Sequence, residues 1–273
     1  MYVCLNRTIY TLIISFIATP LFSQHSGNYC LFNGEDSWIE VIDNNTLDFN
    51  NQVIDAWIYL CDLNDHYMIV SKNHCYGNRL SYYFSVNRGK LIWRWSDNGV
   101  CVGGNEFSTY DNVVKKDTWT HVAVSVSSSS IEMFVNGNAV NGRLTAGYYS
   151  SIYQTNVPLK IGVYQRINSD HGNFFPGKMD NLRIWNKKLS GAEINNIYNN
   201  QIEGLQNNLV LYMDMDDVSS NIVHNKSNTG NINDGVIIGS PWFINKLEFE
   251  IGSDTSTCEG NPINFNIDDH HTK

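Results

Sequence analysis

Residues 175–194 read "FPGKMDNLRIWNKKLSGAEI". Met179, Leu182, Ile184 and Trp185 seek a core in an otherwise alternating strand pattern, and Asp180 stands at its mouth, where a carboxylate beside apolar neighbours needs a partner. Gly177 admits a close backbone approach just before it. Beyond the strand, Ser190 with Glu193 three residues on is a capping-box arrangement, predicting one short helix near 190–200 with Ile194, Ile197 and Tyr198 on one face.

Working outward, short alternating segments recur, among them "SWIEVI", "QVIDAWIYL", "LSYYFSV", "KLIWRW", "WTHVAVSVS" and "IEMFVNG". Clusters of Gly, Asn, Asp and Ser separate them, which predicts an all-β, two-sheet antiparallel sandwich. In "IEMFVNG", Asn136 and Gly137 supply a tight turn that needs positive φ. The chain has 273 residues, 42% of them hydrophobic and 12% aromatic, enough for a substantial core. "GVIIGSPWF" reads as a closing strand.

Residues 1–23 carry an apolar run after Arg7 that ends in small residues, the pattern of a secretory signal peptide. Residues 24–247 then form the folded domain, and 248–273, including Cys258 and "DDHHTK", read as a linker and the truncated start of a further module. The chain is therefore expected to be secreted or at the cell surface, with no membrane span after signal cleavage. A net charge of -9 argues against nucleic acid and anionic membranes as partners.

An oxidising compartment makes disulfides plausible. "LSYYFSV" and "KLIWRW" are joined by "NRG", and folding that hairpin about Arg88 sets Cys75 opposite Cys101, which predicts a bond between them. Cys30 alternates with Phe32 as a core residue. Cys61 is either a core thiol or part of another pairing.

Three stretches carry a family resemblance. "LFNGEDSWIEV" resembles the opening Phe-Asp-Gly strand and turn of laminin-G-like, pentraxin-related jelly rolls, with Asn33 in place of the usual Asp. "DTWTHVAVSVSSSSIEMFVNG" resembles their Trp-x-His-Val-Ala strand and following hairpin. The stretch from Phe175 is similar to their Gly-x-Ile-Asp-x-Val-Arg-Ile-Trp strand and Leu-Ser-x-x-Glu-Ile helix start. The resemblance implies the concanavalin A-like lectin and glucanase architecture over about residues 27–247.

Laminarinase-type hydrolases share that sandwich, and they need two carboxylates flanking the scissile bond, about 5 Å apart in retaining enzymes. No Glu-x-Asp-x-Glu strand is present. In "MDMDD", Asp214 and Asp216 would share a strand face without a Glu in reach, while Glu40 and Asp43 fall on opposite faces of theirs. The chain reads as not an enzyme.

The resemblance also implies a structural calcium ion held by Asp180 and the turn Asn33, Gly34, Glu35, Asp36, since calcium accepts six to eight carboxylate and carbonyl oxygens. The alternative is a carboxylate that bonds turn amides or pairs with Lys178 or Arg183. The calcium pair of pentraxin ligand sites is not implied, because Tyr164 and Arg166 stand where its carboxylates would be.

Two aromatic groups are candidate ligand-binding residues. Trp93 and Trp95 share one strand face, followed by Asp97 and Asn98. They form a stacking platform if that face is exposed and a core if it is buried, and Leu91 on the same face favours the core. Tyr148, Tyr149 and Tyr153 make a loop cluster, each joining an apolar ring to a polar tip. These features point to a secreted binding module whose partner is a glycan or a surface protein. A spacer module of a larger adhesin is the alternative, with a degenerate hydrolase behind it.

Overall fold

A computed structural model describes residues 28–166, 170–202, 206–240 and 242–244. The signal-peptide and tail assignments, with Cys258, lie outside them. Two antiparallel sheets face each other. The first runs in spatial order Asn138–Val140, Ser130–Val135, Thr120–Ser127, Gln52–Leu60, Pro176–Trp185, Tyr29–Asn33 and Trp242–Ile244, with Leu209–Met213 also on Pro176–Trp185. The second runs Gly142–Ala146, Asn105–Thr109, Lys90–Trp95, Arg79–Asn87, His66–His74, Leu159–Ile161, Trp38–Val41, Gly235–Ile238, Ile222–Val223 and Val218–Ser219.

Alternation assigns the faces. Val122, Val124 and Val126 of one sheet meet a core that takes Tyr82, Phe84, Leu91, Trp93 and Trp95 from the other. Cys30 and Phe32 join it, and Cys30 is a free, buried thiol whose pKa burial pushes up. Asn136 and Gly137 both have positive φ, 49° and 75°, in the turn that sets Val135 opposite Asn138. A Cβ on Gly177 would lie 2.0 Å from the Tyr59 carbonyl oxygen, so the close approach is real. "GVIIGSPWF" is not one strand: Gly235–Ile238 lies between Trp38–Val41 and Ile222–Val223 in the second sheet, and Trp242–Ile244 is an edge strand of the first.

The place of Asp180 resolves the opening pattern. Pairing between Pro176–Trp185 and Gln52–Leu60 shifts register between Asp180 and Arg183, and Asn181 adopts φ 49° there. This bulge changes the phase of the strand, so Met179 and Leu182, three residues apart, both reach the core. Asp180 accepts the Asn181 backbone amide at 2.7 Å and its side-chain amide at 2.8 Å. Tyr212 in turn donates to the Asn181 side-chain oxygen at 2.8 Å.

Beneath the helix Gly191–Tyr198, a buried carboxylate ties the first sheet together. Asp55 accepts from Arg183 Nε and a terminal nitrogen at 2.9 and 2.8 Å and from the Trp185 indole at 2.8 Å, with His121 Nε2 at 3.2 Å. Burial pushes the Asp55 pKa up, but Arg183, His121 and Trp185 together outweigh it and hold the group ionised. The helix packs Ile194 and Ile197 onto Trp185 and Phe134. Its N-terminus carries the capping box of Ser190 and Glu193.

Burial lowers the pKa of His121, against the opposing pull of Asp55, and also lowers those of His66 and His171. These groups favour the neutral form in the fold, so their contribution to stability is full above the unfolded value near 6.5 and declines as pH falls below it. The midpoint of thermal unfolding should therefore drop between pH 7.5 and 5.5, before carboxylates titrate. A flat profile across that window would contradict the assignment.

Candidate functional site

At one end of the second sheet, three loops come together: 75–78, 96–104 and 147–158. Cys75 and Cys101 form the predicted disulfide, with Cα atoms 5.6 Å apart, joining the first two loops. The hairpin between them pairs Asn87 with Lys90, so its centre falls between Arg88 and Gly89, half a residue from the position assumed in the sequence reading. Cys61 is disulfide-bonded as well. Closing a loop with a sequence separation of 26 should stabilise the fold by about 2–4 kcal/mol. Urea denaturation of a Cys75→Ala, Cys101→Ala double variant should show that loss, and an unchanged midpoint would refute it.

The third loop is fastened from several sides. The Trp95 indole N–H donates to Ser150 Oγ at 2.9 Å, and the Tyr153 amide to the Ser96 carbonyl at 2.7 Å. Below it, the buried Lys72 ammonium donates to the Thr155 carbonyl at 2.7 Å and pairs with Asp43 and with Asp48, the latter at 3.1 Å. Asn105 accepts the Tyr148 amide at 2.9 Å and gives its side-chain N–H to Ser150 at 3.1 Å. A Cβ on Gly147, whose φ is 71°, would fall 2.0 Å from Asn105 Oδ1, so only glycine allows this closure.

These contacts leave a cleft of 220 Å³ lined by Asp97, Asn98, Val102, Asn105, Gly147 and Tyr148, among others. The Tyr148 hydroxyl donates to Asp97 Oδ2 at 2.5 Å, and that bond raises the tyrosine's pKa. Tyr148, Tyr149 and Tyr153 are 62%, 39% and 41% exposed, and Tyr76 and Val102 stand exposed nearby in sequence, on the two disulfide-linked loops. The arrangement offers aromatic faces for a sugar ring and amide and carboxylate groups for its hydroxyls. Asp97 supplies the one carboxylate among the lining residues.

Other sequence-named residues have different roles. Trp93 and Trp95, candidates for a platform, are 0% and 2% exposed and belong to the core, because their strand face is the inner one. Asn33 and Asp180 do not share a shell. Asn33 pairs with Pro176, which sets Asp180 four residues further along its strand, about 13 Å away at strand spacing. Asn33 Oδ1 instead closes its own turn, accepting the amides of Glu35 and Asp36 and the Ser37 hydroxyl, while the Asn33 side-chain N–H donates to the Asp36 carboxylate. Gly34 holds that turn at φ 77° against Pro176. The set does not fit one calcium ion, and among the described residues no cluster of three or more His, Cys, Asp or Glu side chains is arranged to hold a metal.

Asp214 and Asp216 follow the strand Leu209–Met213 in a turn, with Met215 at φ 60°, and not on one strand face as the sequence pattern suggested. Asp214 pairs with Lys226 at 2.6 Å, and Asp216 accepts the Asn28 amide at 2.6 Å. Asp43 lies beyond Trp38–Val41 and is bound to Lys72, so it and Glu40 are not a strand pair. Tyr164 bonds Cys75 Sγ and packs edge-on against Tyr83. Sequence reasoning named Asp97 and Asn98 beside the tryptophans and missed their link to Tyr148, which is set by loop closure over 51 residues.

The family profile described as concanavalin A-like lectin/glucanases superfamily, a laminin-G type, matches residues 33–195, more than half of the chain. The chain belongs to this family. Among solved structures it is similar to a candidate carbohydrate-binding protein from Bacteroides ovatus, with 16% identity, a TM-score of 0.61 and coverage of 81% of this chain and 60% of that one. It is also similar to the CBM40 of a Ruminococcus gnavus IT-sialidase, solved with α2,3-sialyllactose, with 13% identity, a TM-score of 0.50 and coverage of 64% and 97%. A stretch of 88 residues, 32% of the chain, is 25% identical to the adhesion G-protein coupled receptor V1 of Danio rerio, of which it spans 1%. Thus the chain spans a small fraction of that receptor and about three-fifths of the Bacteroides structure. Among the described residues no helix is long and apolar enough to cross a membrane.

Proposed function

We propose that this chain is an extracellular, non-catalytic carbohydrate-binding module that takes a sugar residue in the cleft between residues 97–105 and 147–148. The observation that carries the proposal is the joining of the exposed Tyr148 ring to the polar side chains of Asp97, Asn98 and Asn105 in one cleft beside a disulfide-braced loop. The cleft volume of 220 Å³ is below the usual range for drug-sized ligands, about 300–1,000 Å³, so it suits one ring with the rest of the chain lying across the rim. The family's carbohydrate-binding members support this by analogy of fold. The absence of a catalytic carboxylate strand in the sequence is in keeping with binding alone.

The test is a broad glycan array probed with the full chain, once with calcium and once with a chelator. Saturable binding to a defined glycan set supports the module. The same comparison tests a calcium requirement, which the family resemblance suggests and which would have to draw on donors other than a shared Asn33 and Asp180 shell. Binding to no glycan in either buffer overturns the proposal in favour of a protein-interaction or spacer module.

A further inference from the structure

The loop cleft carries charge of one sign. Asp97 is its one carboxylate, no lysine, arginine or histidine lines it, and Asp97 has no ion pair among the described residues. Arg94 comes close at one point, where its Nε would lie 3.6 Å from a Cβ on Gly104. That guanidinium is already committed: it donates to the Cys101 carbonyl at 3.2 Å and pairs with Glu106 at 3.6 Å. An occupant of the cleft therefore meets a carboxylate whose charge the protein leaves unbalanced.

The polar groups that remain for a ligand follow from the bonds already made. Asp97 Oδ2 takes the Tyr148 hydroxyl at 2.5 Å, which leaves Oδ1 open. Asn98 Oδ1 accepts the Ser96 hydroxyl and the Val100 amide, both at 3.0 Å, so its side-chain N–H groups are the unspent end. Asn105 is used within the loops, by the Tyr148 amide and by Ser150. The cleft is open to solvent: Tyr148 and Val102 are largely exposed, and a Cβ on Gly103 would meet nothing within 4 Å.

These groups rank ligands by the charge of one ring substituent. A hydroxyl can donate to Asp97 Oδ1. An ammonium donates the same bond and brings the opposite charge, which makes the bond stronger. A carboxylate has no proton to give and is repelled. The Asn98 N–H serves a neighbouring hydroxyl in each case, so it orients the ring without discriminating. Tyr148 and Val102 supply apolar surface for the C–H face of the ring whatever its charge. Selection rests on Asp97.

We propose that the cleft selects amino sugars carrying a free ammonium group, and that Asp97 is the residue that sets this preference. The ammonium donates to Asp97 Oδ1, an adjacent ring hydroxyl accepts from Asn98, and the ring lies against Tyr148. The inference rests on the reading of the cleft as the sugar site and adds the chemical class of its ligand.

The experiment follows the backbone amide resonances of Gly103, Gly147 and Tyr148 in nitrogen-15-labelled full chain during titration with the methyl glycosides of glucosamine, glucose and glucuronic acid. The buffer is mildly acidic, so that the amine is protonated. Glucosamine should bind about fivefold more tightly than glucose, the scale of one exposed ion pair, and glucuronic acid most weakly. Added salt should narrow the gap. Asp97→Asn, melting where wild type does, should bring glucosamine and glucose within about twofold of each other. Equal wild-type affinities for those two sugars, or a preference that persists in Asp97→Asn, would overturn the selectivity while leaving the cleft a sugar site. If none of the three sugars shifts the cleft resonances of the folded chain, the reading of the cleft falls and the selectivity with it.

Discussion

Replacing Asp55 with alanine is expected to destabilise the fold by about 3–5 kcal/mol, the range for breaking a buried ion pair from one side. The carboxylate is wholly buried and receives Arg183, Trp185 and His121. Removing it leaves a guanidinium that is 1% exposed with no counter-charge and an indole N–H with no acceptor. The loss reaches beyond one strand, because Asp55, His121 and Arg183 belong to three adjacent strands of the first sheet, and Trp185 supports the helix. Asp55→Asn retains an acceptor and loses the charge, so it should fall between wild type and alanine. Urea denaturation of the three proteins checks the order, and an alanine variant within 1 kcal/mol of wild type would contradict it, since that is the scale of a surface pair.

The second large effect concerns Trp93. Its ring stacks on Tyr82 with centroids 5.1 Å apart, and it sits opposite Phe84 and Phe107 in neighbouring strands. Trp93→Ala should therefore lower stability by about 3–5 kcal/mol through lost burial and the cavity left behind. Trp93→Phe should lose less, because the buried indole nitrogen has no hydrogen-bond partner to forfeit and the ring face is kept. Denaturation midpoints and glycan affinity of the folded fraction separate this from a platform role. A Trp93→Ala chain of wild-type stability that no longer binds glycan would restore the tryptophan as a ligand residue.

Much of the sandwich was legible because period-two alternation is a local signal. The hairpins at Arg88 and Asn136, the capping box at Ser190 and the core role of Cys30 all follow from neighbours along the chain. The Asp180 bulge was hidden because it shifts phase by one residue in a strand whose composition stays apolar. Asp55 escaped notice for a different reason. It sits in "VIDAWI" as an unremarkable alternating residue, and only strand pairing shows that the His of "WTHVAV" and the Arg and Trp of "NLRIW" converge on it. The resemblance supplied those motifs without their shared centre.

The candidate site was partly visible. The tyrosine cluster and the Asp97 loop could be named, but their meeting depends on closures between residues far apart in the chain, such as Tyr148 to Asp97 and Tyr153 to Ser96. The calcium set failed on register: Asn33 and Asp180 are close to the same strand pair but four residues apart along it. The tryptophan pair, by contrast, could be read as core from Leu91 on the same strand face, and both rings lie in the core.

The most direct measurement is calorimetric titration of wild type and Asp97→Ala with the strongest glycan from the array, alongside their melting temperatures. If the cleft is the sugar site, Asp97→Ala should bind at least about tenfold more weakly while melting where wild type does. Equal affinity in the two proteins, with both fully folded, would place the binding surface elsewhere on the sandwich and contradict the account.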